Sequence, residues 1–136
     1  MVEAVDAWFD SPAQRPVVVH TAAELDAVLD QVAEIGGPRI VQFHVHGEPR
    51  RGLLDVGLDA ERERGVLHYA GGEHRKGCYS LSAETASEAP IYFSMGGASN
   101  EFPANAELPL ADVRRAAHEF MASGARPVAI DWQPRG

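Results

Sequence analysis

The chain has 136 residues, 45% hydrophobic and 24% charged, with a net charge of −8 from 12 basic and 20 acidic side chains. That is one ordinary globular domain by size, burying about two-thirds of its unfolded surface, and its acidity argues against direct nucleic-acid binding, which depends on Lys and Arg displacing counterions. The lone Cys78, the absence of a signal-like start and the lack of a roughly 20-residue apolar run point to a cytoplasmic protein with no disulfide and no membrane span.

In chain order, Val2 to Phe9 and then PVVVH at 16 to 20 read as short β-branched strands. Thr21 and Glu24 have capping-box spacing, and Leu25, Val28, Leu29, Val32 and Ile35 recur at helical intervals until Gly36-Gly37-Pro38 stops the pattern. This first helix carries Asp26, Asp30 and Glu34 at i, i+4 and i+8 with no Lys or Arg between residues 16 and 38. Each such repulsion costs on the order of 0.2–0.5 kcal/mol, so a binding role for Asp26 and Asp30 is one reading of the pattern; plain solvation is the other.

From Arg39 the period changes to 2. Arg39 to His46, Leu53 to Leu58, Val66 to Ala70, Tyr79 to Ser82 and Ile91 to Met95 are short runs punctuated by Gly, Pro or charged clusters, the pattern of an antiparallel meander. Pro109 suits a helix start. Leu110, Val113, Ala117, Phe120 and Met121 form an apolar stripe that ends at Ser123-Gly124. VAIDW at 128 to 132 reads as a closing strand, with Phe120 and Trp132 assigned to the core. The order predicts a single α+β domain over 1–136: an antiparallel sheet of about five to seven strands with two helices packed on one face.

The chemistry-bearing residues are sparse. His44 and His46 share one face of a strand and Glu48 follows, which permits a metal. A polar solvent face made of Gln42, His44 and His46 explains the same residues without one. Cys78 follows His74, Arg75 and Lys76, whose charge would favour a thiolate, but no elbow or third group accompanies it. The glycine pairs lack phosphate-loop and dinucleotide spacing. No catalytic residue and no cofactor are expected.

Charge is more informative. Between Gly77 and Val113 there is no Lys, Arg or His, while Glu84, Glu88, Glu101, Glu107 and Asp112 all fall there. Within this stretch ASNEFP, residues 98 to 103, reads as a loop offering Glu101 as acceptor and Phe102 as anchor, the make-up of a binding hot spot. The competing reading folds Phe102 under the second helix as a core lid. The candidate partner-binding set is Asn100, Glu101, Phe102, Glu107, Asp26 and Asp30.

The order YFSMGGASNEFP, then ELPLADVRRAAHEFMASGARPVAIDW, together with TAAELDAVLDQV and LLDVGLDAERERGVLHY, resembles the immunity-protein family of bacterial polymorphic toxin systems, usually paired with deaminase-type toxins. The likeness runs from Pro16 to Trp132. The family's loop glutamate falls on Glu101, its aromatic-proline step on Phe102-Pro103, its helix exit on Arg126-Pro127 and its closing aromatic on Trp132. FHVHGE and the first ten residues match nothing in it. The resemblance implies a small cytoplasmic inhibitor that binds a cognate toxin domain, with a deaminase as the expected partner, and blocks its active site or nucleic-acid groove. The alternatives are a small metal-binding protein or enzyme using His44, His46 and Glu48, or a subunit of a larger assembly. Oligomeric state is not legible.

Overall fold

A computed structural model describes residues 3–10, 15–48, 50–83 and 89–135. Val2, Glu84 and Glu88 lie outside the described residues. The elements are β1 (Val5–Trp8), β2 (Val17–Val19), α1 (Ala22–Ile35), β3 (Arg39–Val45), β4 (Gly52–Asp59), β5 (Arg64–Gly71), β6 (His74–Leu81), β7 (Ile91–Met95), β8 (Ala98–Phe102), a 3-10 turn (Ala104–Ala106), β9 (Leu108–Pro109), α2 (Leu110–Ser123) and β10 (Asp131–Pro134). No helix among the described residues is long and apolar enough to cross a membrane.

Helix α1 begins where its capping box places it. Thr21 Oγ1 accepts the Glu24 N–H at 3.1 Å, and Glu24 returns the bond by accepting from the Thr21 N–H at 3.2 Å. Helix α2 starts one residue later than the sequence suggests, with Pro109 at the cap, and Gly124 closes it in the left-handed conformation at φ 68°.

Among the described residues the sheet has ten strands, more than the five to seven expected, the surplus being short pieces such as β8 and β9. Seven strands run in the order β10-β6-β5-β4-β3-β1-β2, and each neighbouring pair is antiparallel. Strand β7 joins β3 through one parallel pair, Arg39 with Ser94, and turns back as a hairpin with β8.

Strand alternation sorts the apolar residues into two clusters on opposite faces. On one face Val41, Phe43, Val45, Leu54, Val56 and Leu58 meet Leu25, Leu29 and Val32 of α1 and Val113, Ala117 and Phe120 of α2. Both helices therefore lie on one face, as expected. On the other face Ile40 and Val66 meet Phe93, Phe102 and Ala106, contributed by the β7–β8 hairpin and the turn after it. Gly57 makes room here, since a Cβ would stand 2.9 Å from the Phe93 ring. Fully buried Ser80 ties that turn to the sheet, donating to the Ala106 carbonyl at 2.6 Å and accepting the Leu67 N–H at 3.0 Å.

The closing strand departs from its expected range. Residues 128 to 130 are not strand, because the Glu119 carboxylate accepts the N–H groups of Val128 and Ala129 and removes their donors from any ladder. Pairing with β6 begins at Asp131. Phe120 is buried, and Trp132 is half-buried against the same cluster, as the core assignment required.

Candidate partner-binding site

ASNEF is a strand, not a loop. Gly96 and Gly97 take φ values of 59° and 79° between the paired residues Met95 and Ala98, the two-residue turn that a right-twisted hairpin favours. The turn is moored from below: Asp10 accepts the Gly96 N–H at 2.7 Å and receives Arg39 at 3.4 Å. Ser94 is held by its own N–H to the Pro38 carbonyl at 3.0 Å.

Registry then decides what each hairpin side chain does. Phe93, Asn100 and Phe102 share the face turned towards the sheet, while Tyr92 and Glu101 sit directly opposite each other on the outer face. The Tyr92 hydroxyl donates to Glu101 Oε1 at 3.1 Å, and the neighbouring carboxylate holds the phenol's pKa above its ordinary value. Tyr92 is 52% exposed, a large ring oriented by a hydrogen bond yet open to solvent.

Beneath the hairpin is a cleft of about 390 Å³ lined by Gln42, Asp55, His68, Tyr79, Asn100 and Arg135, among others. Its floor is a connected polar row. Gln42 Nε2 donates to Asp55 Oδ1 at 2.8 Å, His68 Nδ1 meets Asp55 Oδ2 at 2.9 Å, and His44 Nε2 meets Gln42 Oε1 at 2.8 Å. His44 Nδ1 and His68 Nε2 are left buried without a partner among the described residues. No hydroxyl or thiol among them is hydrogen-bonded to His68.

The structure disperses the remaining candidates. Phe102 is only 3% exposed and packs edge-on against Tyr79 and Phe93, with ring centroids 5.4 and 5.8 Å away, so it is a core residue on the sheet face opposite the helices, neither a projecting anchor nor a lid under α2. Glu107 takes Arg62 at 2.9 Å. Asp26 and Asp30 flank Arg114 of α2 at 3.3 and 3.0 Å, and Asp26 also meets His118 at 2.8 Å. The hydrogen bond from His118 is the main reason that the Asp26 carboxyl titrates below its usual range.

His44, His46 and Glu48 do not converge, because His46 Nδ1 contacts Asp6 at 2.7 Å and Glu48 pairs with Arg51. Among the described residues no group of three or more His, Cys, Asp or Glu is placed to hold a metal ion. Cys78 is buried, with Sγ 3.6 Å from the Tyr69 carbonyl. Tyr92, Asp55 and His68 escaped the sequence reading. The signal for Tyr92 was present, since it alternates with partly buried Ile91 and buried Phe93 in a strand the sequence did show.

Compared with known families, the chain matches the one described as Immunity protein Imm1 over residues 13–134. No match was found among curated proteins. The family match runs through all but the two ends, and the chain belongs to the Imm1 immunity protein family.

Proposed function

We propose that this member of the Imm1 family acts in the cytoplasm by binding a cognate toxin domain of the deaminase type, and that the outer face of the β7–β8 hairpin is its contact. The observation that carries this reading is the Tyr92–Glu101 pair: an exposed ring held by a carboxylate on a hairpin moored at its tip. Interface energy concentrates in such aromatic anchors, and pre-orientation lowers the entropy lost on docking. Asn100 lies at the edge of the cleft behind the pair.

The sign of the charge supports the choice of partner. The hairpin belongs to the long stretch without a cation, and a toxin acting on nucleic acid presents a basic groove that an acidic surface both complements and attracts. Asp26, Asp30 and Glu107 are already engaged by Arg114, His118 and Arg62, and we leave them outside the contact. Phe102 serves it from behind by holding the hairpin on the sheet. The role needs no catalytic group.

The test is co-purification with the toxin domain encoded beside this chain, followed by affinity measurement. Tyr92→Ala is expected to weaken binding by about 2 kcal/mol or more and Glu101→Lys by a comparable amount. Asp30→Lys is expected to leave affinity nearly unchanged. Tight binding indifferent to both hairpin variants would move the interface elsewhere, and no binding would remove the function. Deaminase activity of the toxin domain, suppressed in the complex, is the further expected result.

A further inference from the structure

At the edge of the sheet remote from β2, strand β10 pairs with β6 only over Cys78 to Leu81. The preceding residues of β6, His74 to Lys76, have no strand beside them on that side among the described residues. A cleft of about 550 Å³ opens there, walled by the β5–β6 turn, Arg126, Trp132 and Pro134. Its charge is opposite to that of the chain: Arg75, Lys76 and Arg126 line it, with Glu73 as the carboxylate among the lining residues.

These three cations are uncompensated. Arg39, Arg51, Arg62, Arg114 and Arg115 each sit on a carboxylate, whereas among the described residues none lies within ion-pair distance of Arg75, Lys76 or Arg126. Arg64 and Arg135 likewise have no ion pair among the described residues, so what sets these three apart is that they line one cleft.

Arg126 is also fixed in place. Glu119 holds the following loop through the N–H groups of Val128 and Ala129, and Trp132 Nε1–H donates to the Pro127 carbonyl at 2.8 Å. The guanidinium lies over the Trp132 ring, 5.7 Å from its centroid, and Nη1 is 3.8 Å from Cys78 Sγ. A guanidinium held by an aromatic ring and a thiol, with no counter-charge, keeps its remaining N–H donors free for an oxyanion.

We propose that this cleft binds a phosphate-bearing small molecule, with the phosphate on Arg126, Arg75 and Lys76 and the apolar body against Trp132 and Pro134. The volume falls within the range of small-molecule sites, and three cations suit a dianion better than a single carboxylate. The site is separate from the hairpin contact and does not depend on it.

Trp132 reports on the cleft directly. In the full chain carrying Trp8→Phe, which removes the other tryptophan, adenosine monophosphate and pyrophosphate are titrated at constant ionic strength while fluorescence is followed. A saturable change with at least one of them is expected, weakened about tenfold or more by Arg126→Gln and severalfold by Lys76→Gln. Lys76 is exposed, so its variant separates loss of binding from loss of fold. A response reproduced by sodium chloride alone, or affinities that ignore both substitutions, would overturn the proposal.

Discussion

Glu101 and Phe102 are adjacent in the chain and opposite in role, because a strand turns consecutive side chains to opposite faces. Phe102 takes the inner position and closes the second apolar cluster, with Phe93 inclined at 80° to it. Its truncation therefore removes transfer energy and leaves a cavity that the hairpin cannot fill without leaving the sheet. Phe102→Ala is expected to lower unfolding free energy by about 3–5 kcal/mol in a urea titration. Glu101→Ala, on the solvent side, is expected to stay within about 0.5 kcal/mol of wild type. Equal stabilities for the two variants would contradict the placement of Phe102. The pair thus separates a residue that shapes the contact from one that makes it.

At the scale of elements, α1 and α2 answer a question the sequence left open. The acids of α1 repel along one face, and the compensation comes from Arg114, 88 residues on from Asp26, and from His118, 92 residues on. The folded state depresses the Asp26 carboxyl, so its contribution to stability is fully present above the ordinary carboxylate range and is lost as pH falls through the depressed value. Asp26 is half-exposed, and solvent screening limits the contribution to about 0.2–1 kcal/mol. Asp26→Asn is accordingly expected to be slightly less stable than wild type near neutrality and indistinguishable from it in strong acid, by thermal melts across pH. A deficit that persists in acid would mean that packing, not charge, explains Asp26. The same example shows what was legible. Both helices and the meander strands follow local rules of period and capping, so they could be read in order. The partners of Asp26 and Asp30 are long-range and could not. ASNEF reads as a loop from its place between a glycine pair and a helix, yet Gly96-Gly97 supplies a two-residue turn that returns the chain as a strand beside β7. VAIDW alternates like a strand, but the Glu119 side chain takes two of its backbone donors.

Across the whole molecule, the sheet works as a partition. The helices fill one face, and the other carries the hairpin over a polar row running from His44 through Gln42 and Asp55 to His68. Charge follows its own division, with the hairpin in a stretch free of cations and three unpaired cations gathered at the β6 edge. A net charge of −8 biases encounters towards basic partners, and on the outer face of the hairpin, formed by Tyr92, Ser94, Ser99 and Glu101, the charged group is Glu101. For the proposed toxin contact this separates the kinetics into two parts. Long-range attraction governs the association rate and is screened by salt, whereas the Tyr92 anchor acts after docking and governs dissociation. Stopped-flow association with the toxin domain is therefore expected to slow about tenfold between roughly 10 mM and 150 mM salt. Glu101→Lys is expected to lower the association rate and flatten that salt dependence, and Tyr92→Ala to raise the dissociation rate while leaving the slope intact. Association independent of salt would show that the acidity of this face plays no part in recognising the partner, even if the hairpin itself were the contact.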